Sequence, residues 1–160
     1  MGSIIAQSII DDAEVDLLDT GNDTWAALEL LSYLNDGSRD VAHFNPEASE
    51  VSASLQLIAG TKQALPAGTV SLNRIIRNMG TGGTPGLPIF EAKMDLMDRV
   101  KPGWHTATAS SVVKNYFYDP KDQLNFYVYP PQPAASQGYI EISRFTVPAD
   151  VAIGAAINVD

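Results

Sequence analysis

The chain contains no cysteine. Disulfides, thiolate metal sites and a cysteine nucleophile are therefore excluded, and a reducing compartment is compatible with the composition. Histidine is nearly absent: His43 and His105 stand alone, neither with a second histidine or carboxylate at i+4 on a shared helix face to make a metal pair. Bases are scarce as well, ten Lys and Arg against nineteen Asp and Glu, for a net charge of −9 and a pI near 4.5. A chain this acidic does not accumulate on phosphate backbones or anionic lipid, which argues against a general nucleic-acid binder. No apolar run approaches the ~20 residues that a spanning helix needs, so no membrane anchor is expected. The opening MGSIIAQSIIDD lacks the basic segment of a secretory signal.

What is present is 160 residues with a 45% hydrophobic share, enough for one domain with a genuine core. A chain near this length buries roughly 70% of its unfolded surface. The acidity is uneven. Residues 1–50 hold eleven carboxylates against Arg39, whereas residues 51–160 hold eight against nine bases. The hydrophobic period changes at the same boundary, from helical to two. The expected fold is therefore α+β: an acidic, antiparallel helical hairpin over 1–50 and a β-rich antiparallel body over 51–160, together forming one structural unit.

In the first segment Ile5, Ile9, Ala13 and Leu17 recur at i+4, with Gly21 placed to terminate a first helix. Asp23 or Thr24 can cap a second helix, whose apolar positions are Trp25, Leu28, Leu31 and Leu34, continuing to Val41 and Phe44. These four are expected to serve packing or a subunit interface. Asn45-Pro46 ends that helix. From Val51 to Leu57 apolar and polar residues alternate as in a half-buried strand, with Gly60-Thr61-Lys62 turning it into a returning strand at Gln63–Leu65. Further strands are expected at 70–79, 112–118, 125–129 and 139–147, and one short helix at about 91–100 with Met94 and Met97 inward. Asp119-Pro120-Lys121-Asp122 makes a hairpin turn, and Pro130, Pro131 and Pro133 make the next connection stiff and extended.

Candidate chemistry is thin. Asp12-Ala-Glu14-Val-Asp16 has the alternating oxygens of a calcium loop, but Leu17 stands where glycine is required and Asp23 where a glutamate is; a solvated helix face explains it better. The loop Gly80-Thr81-Gly82-Gly83-Thr84-Pro85-Gly86 could present backbone amides to a phosphate, yet it lacks the Gly-Lys-Ser/Thr ending of a P-loop. Asp119, Asp122 and Glu141 could be imagined as a hydrolase pair, although Asp is common in turns for conformational reasons. On the expected hairpin Tyr116 and Tyr118 share one face, and Tyr127 and Tyr129 lie together across it. Cross-strand pairing accounts for them, while an exposed ladder would stack on sugars. No catalytic constellation and no cofactor site emerges. The competing reading is a monomeric, β-rich carbohydrate-binding module or hydrolase that uses surface tyrosines.

One run of motifs reaches further. Leu34-Asn-Asp-Gly-Ser-Arg-Asp-Val41, Asn45-Pro-Glu-Ala48, Ala59-Gly-Thr-Lys-Gln-Ala-Leu-Pro66, Arg77-Asn-Met-Gly80, Thr84-Pro-Gly86, Pro102-Gly-Trp104, Phe117-Tyr-Asp-Pro120 and Phe126-Tyr-Val-Tyr-Pro-Pro-Gln-Pro133 occur in this order. In that order the chain resembles phage head–tail adaptor (connector) proteins over most of residues 24–150. The resemblance implies a non-enzymatic virion protein of the head–tail junction, assembled in the host cytoplasm. It implies a ring, usually dodecameric, beneath the portal, meeting portal and tail or nozzle proteins and passing genomic DNA through its channel without sequence-specific binding. It implies a helical core carrying a β-rich insertion followed by C-terminal helices. Those last helices are expected to be absent here, the sequence ending on Ile157-Asn-Val-Asp160. On this reading Asp11, Asp12, Glu14, Asp16 and Asp19 are channel-lining candidates. Gly80, Thr81, Gly82, Gly83 and Thr84, with Asp119, Lys121 and Asp122, are candidates for partner contacts.

Overall fold

The change of hydrophobic period at residue 50 marks a structural division. The computed structural model describes residues 2–159. Its elements follow in chain order: strand β1 (Gly2–Ile5), helices α1 (Ala6–Asp16) and α2 (Ala27–Phe44), strands β2 (Glu50–Gln56), β3 (Gly60–Ala64), β4 (Thr69–Met79), β5 (Pro85–Pro88) and β6 (Phe90–Glu91), helix α3 (Met94–Val100), and strands β7 (Asn115–Tyr118), β8 (Asn125–Gln132), β9 (Tyr139–Thr146) and β10 (Ala156–Val159). The class is α+β with a β-rich body. The elements group into two compact units, one holding the residues up to Ser49 together with those from Val147, the other Glu50–Thr146.

The first unit carries twelve carboxylates and a single base, Arg39. Its ends meet as a two-stranded antiparallel ribbon, with Ile4 opposite Ile157. The apolar stretch near residue 157 is thus a strand, and no helix follows β9 among the described residues. Helix α1 starts one residue later than its pattern suggested, because Ile5 keeps extended backbone at the N-cap. Its buried positions are accordingly Ala6, Ile10 and Glu14, while Ile5 and Leu17 are exposed. Gly21 does not terminate it. The helix gives out at Leu17, and Leu18 takes the left-handed conformation (φ +55°) instead.

Neither Asp23 nor Thr24 caps α2, which begins after an extended Ala26 without a side-chain cap. Asp19 does related work across the link. Its carboxylate accepts the N–H groups of Asp23 (3.0 Å), Thr24 (3.0 Å) and Trp25 (2.7 Å), which leaves Trp25 just outside the helix. Helix α2 is tied to the returning chain by Asn35, which donates from Nδ2 to the Val151 carbonyl (3.2 Å) and accepts the Val151 N–H (2.9 Å). Arg39 bridges Asp36 (2.7 Å) and Asp150.

The second unit is two four-stranded sheets, ordered β2-β9-β4-β5 and β3-β8-β7-β6. All pairs are antiparallel except β6–β7. The expected β2–β3 hairpin does not form: β2 pairs with β9 and β3 with β8. The Gln63 side chain fills the corner between them. It accepts the Ile58 N–H (2.7 Å) and donates to the carbonyls of Ile58 (2.8 Å) and Gly60 (3.2 Å), satisfying backbone that strand pairing would otherwise use. The β7–β8 hairpin forms as expected, but Pro130 and Pro131 lie within β8 rather than in a connection. The short helix is α3, three residues shorter at its start than expected.

Both sheets feed one core: Leu57, Leu65, Leu72, Ile75, Ile89, Val113, Tyr116, Phe126, Val128, Ile140 and Ile142. Asn78 clamps it. The Asn78 amide donates to the Leu87 (3.0 Å) and Val113 (2.8 Å) carbonyls, and its oxygen accepts the Val113 N–H (2.8 Å).

Candidate functional site

The β7–β8 hairpin places its aromatics by strict alternation. Tyr116, Tyr118, Phe126 and Val128 line the inner face. Burial, followed by the nearby Glu91 carboxylate, pushes the Tyr116 hydroxyl above its ordinary pKa. Tyr118 accepts the Leu72 N–H and donates to the Gln123 carbonyl, both at 3.2 Å. The opposite face carries Phe117, Tyr127 and Tyr129. Trp104, fully buried, covers Phe117 at 5.0 Å between ring centroids and meets Tyr127 edge-on at 6.3 Å. Its indole N–H donates to Asp98 (2.7 Å), and His105 stacks on its ring at 3.8 Å with Nδ1 2.8 Å from Thr61 Oγ1. Lys101 donates to the Tyr129 hydroxyl (2.6 Å). The tyrosines that a glycan would need exposed are thus engaged inside the body or under this cap.

The candidate carboxylates sort by what they touch. Asp119 and Asp122 hold the hairpin turn: Asp119 accepts the Lys121 N–H on its side chain and the Asp122 N–H on its carbonyl, both at 2.9 Å. Glu141 sits in β9, ion-paired to Arg77 at 2.9 Å. Elsewhere in that sheet Glu50 accepts from Asn73 (3.1 Å) and Ser143, and these donors, Ser143 foremost, hold it below its ordinary pKa. Among the described residues no cluster of His, Asp and Glu could hold a metal ion. Asp12, Glu14 and Asp16 lie on α1, where a calcium loop's backbone is not available.

The two loops singled out in the sequence are both hairpin tips. Gly80 to Thr84 joins β4 to β5, closed by the Gly80 N–H to Thr84 carbonyl bond (2.8 Å) and by Gly83 at φ +77°. Gly80, Thr81, Gly82, Gly83 and Thr84 are all exposed, as are Asp119, Lys121 and Asp122.

Of the acidic set, Asp11, Asp12 and Asp16 are exposed on α1, and Asp11 accepts from Gln7 Nε2 (2.6 Å). Glu14 is nine-tenths buried, and Asp19 is occupied by the three N–H groups described above, Trp25 foremost, which lower its pKa.

Helix α2 has two faces. Leu31, Asn35, Ser38 and Ala42 recur at intervals of four, three and four and are buried or half-buried. On the opposite side Tyr33, Gly37, Val41 and Phe44 recur at four, four and three, with Tyr33 56%, Val41 57% and Phe44 84% exposed. Leu28 is also largely exposed; Trp25 and Leu34 are half-buried. The residues read as a packing stripe thus divide between a covered and an open face. In the sequence Val41 and Phe44 read on from the Trp25–Leu34 stripe, because Leu30 and Leu34 blur the boundary between the two faces.

A second exposed apolar surface lies on the β body. The outer side of α3, with Leu96 61% and Val100 74% exposed, frames an open recess of about 180 Å³ floored by Met97 and Phe117.

No curated protein matches this chain. The family model described as SU10 adaptor protein matches residues 5–160. That span covers nearly the whole chain and every motif that resembled phage head–tail adaptors, so the chain belongs to the SU10 adaptor protein family.

Proposed function

We propose that this protein is a subunit of a closed ring at the head–tail junction of a phage particle, between portal and tail and surrounding the DNA channel. The observation that carries this reading is the family match over nearly the whole chain. A phage adaptor is a structural virion component that contacts other head and tail proteins; the ring, its twelve copies and its place beneath the portal are the finer part of the proposal. On this reading α1 and α2, joined through residues 17–26, would serve as the helical hairpin of the adaptor core.

Three features of the chain fit the role. An exposed apolar stripe on α2 needs a partner, since contiguous apolar surface left in water favours association. An interface joining two different patches closes into a ring when its rotation permits, and each copy then presents the same face inward. The charge is polarised, with twelve carboxylates and one base in the unit that carries α1 and α2. A channel wall for DNA works best if it does not hold phosphates. Basic side chains would bind them through counterion release, and carboxylates repel them. Asp11, Asp12 and Asp16 are the lining residues of choice, since Glu14 is buried and Asp19 is engaged by three backbone N–H groups. The tips at 80–84 and 119–122 are assigned to partner contacts, because such loops carry binding on rigid β scaffolds.

Negative-stain microscopy and native mass spectrometry of the purified protein are expected to show a ring with a central channel. A species that stays monomeric in the assembled particle would refute the reading, as would a channel wall lined by Lys and Arg.

A further inference from the structure

Strands β1 and β10 form a sheet of two, and no other described strand pairs with either. A two-stranded ribbon is marginal in water until more strands or a packed face complete it. Ile4 and Ile5 remain 43% and 50% exposed, so packing within the unit leaves this ribbon incomplete. We propose that the open edge of β1 on one copy pairs with the open edge of β10 on the next, joining the ribbons into one closed antiparallel sheet around the ring. This deepens the ring reading and rests on it.

The backbone fixes which groups are on offer. Ala6 donates its N–H to the Ala155 carbonyl at 2.9 Å, in line with the pairs Ile5–Ala156, Ile4–Ile157, Ser3–Asn158 and Gly2–Val159. Antiparallel pairs alternate between bonded and non-bonded. With residues 6 and 155 bonded, Ile4–Ile157 is the next bonded pair. The N–H groups of Ser3 and Ile5 on one strand, and of Ala156 and Asn158 on the other, therefore point away from the ribbon. Such rows are templates for a further strand, and native edges discourage one with charge, proline or shortness. The outer strands of the β body use these devices: Glu50 in β2, Lys62 in β3, Pro85 and Pro88 in β5, and a length of two residues in β6. Strands β1 (Gly-Ser-Ile-Ile) and β10 (Ala-Ile-Asn-Val) carry neither charge nor proline.

The occupant follows from there being two open edges on each copy. A strand from a different protein would fill one and leave the other. A second ribbon related by a two-fold axis would pair β1 with β1, or β10 with β10, and again leave edges open. Rotation about a ring axis instead brings β10 of the next copy antiparallel to β1, and no edge remains once the ring closes. With twelve copies, ~24 strands spaced ~4.8 Å apart make a sheet about 115 Å around and about 37 Å across, before strand tilt widens it. Barrels of roughly 16–18 strands already leave an aqueous channel, so this closure keeps the DNA path open.

Proline reads the edge without touching the ribbon. Ile5 has φ −80°, which proline adopts, and its N–H faces outward. Ile5→Pro should therefore unfold in urea at the same midpoint as Ile5→Ala. In native mass spectrometry Ile5→Pro should lose the ring, whereas Ile5→Ala, which keeps the N–H, should retain it. Hydrogen exchange of the parent chain should slow at Ser3, Ile5, Ala156 and Asn158 on passing from dilute subunit to ring, and this reads the edge even where the proline variant does not fold. A ring that survives Ile5→Pro, or one in which these four amides exchange as fast as in the subunit, overturns the pairing and leaves the ring standing. Protection that arises only on adding portal protein gives the edge to a partner's strand and overturns the pairing as well. A parent chain that is monomeric at every concentration overturns ring and pairing together.

Discussion

Replacing Asn78 by alanine should be among the most damaging single changes to the β body. The side chain satisfies three backbone groups at 2.8–3.0 Å, two of them on Val113. Val113 is 1% exposed, so its N–H and C=O have no water to turn to once the amide is gone. Each buried polar group left unpaired costs about 1–3 kcal/mol, which puts the two Val113 groups together at about 2–6 kcal/mol. The Leu87 carbonyl, on an exposed residue, recovers its bond from solvent and adds little. Against a typical domain stability of about 5–15 kcal/mol the loss is large. Urea unfolding followed by Trp104 fluorescence, in a Trp25→Phe background so that one indole reports, should show the midpoint falling by about 1–3 M for a slope near 2 kcal/mol/M. Asn78→Asp sharpens the test. A carboxylate there keeps an acceptor for the Val113 N–H but faces two carbonyl oxygens, which raises its pKa in the folded state. The folded form then binds more protons than the unfolded one, so stability falls as pH rises through that pKa. The aspartate variant should therefore be less impaired near pH 4 than at pH 7. A loss below about 0.5 kcal/mol for Asn78→Ala, or a pH trend of the opposite sign, would show that Asn78 does not clamp the core.

Gly138→Ala should destabilise the same unit by at least the ~1–3 kcal/mol of an overpacked site, because an added Cβ would sit 2.0 Å from the Ser111 carbonyl oxygen; the urea midpoint measures it. The amides of Asp23, Thr24 and Trp25 should shift together in NMR spectra as pH falls below the ordinary Asp value of 3.8: a carboxylate with a lowered folded pKa stabilises the link above that range and loses its grip as it protonates. Asp19→Ala should abolish this joint transition. Phe44→Ser, at a site 84% exposed, should leave the unfolding of the isolated subunit within about 0.5 kcal/mol of the parent and yet weaken the ring, as sedimentation would show.

Local pattern carried well where one element reports on itself, and poorly where distant segments complete one another. Helix α2, strand β4, the β7–β8 hairpin and β9 were legible because an amphipathic period or a turn such as Asp119–Asp122 lies within a short window. The β1–β10 ribbon was not, since two four-residue strands about 150 positions apart carry no sign of each other. Strands β2 and β3 are separated by a turn-like Gly60, and adjacency suggested a hairpin. Only the Gln63 bonds to Ile58 and Gly60 reveal that the corner closes without strand pairing. The three register shifts of β4 against β9 spoil its alternation, so Asn78 gave no hint that it points inward. Among site residues, the exposure of the 80–84 and 119–122 tips was readable from composition. The bonds from the Asp19 carboxylate to the Asp23, Thr24 and Trp25 N–H groups were not, because a carboxylate's partner is set by geometry.

The two units differ in how far each satisfies itself, and that difference bears on why the chain would assemble. Among the described side chains, thirteen of the buried hydrophobic residues belong to the β body, against Ala6 and Ile10 in the other unit. The body closes its polar groups internally through Asn78, Gln63 and Gln132. The helical unit instead leaves an apolar stripe open on α2 and crowds carboxylates into the second half of α1, where they oppose the helix dipole by about 0.3–1 kcal/mol each. At roughly sixty residues a unit is marginal even when its core is complete. A partner laid on the stripe would supply further apolar contacts. On the ring reading proposed above, assembly would cover the open stripe of the helical unit, and the acidic excess that burdens one isolated subunit would face phosphates that it repels.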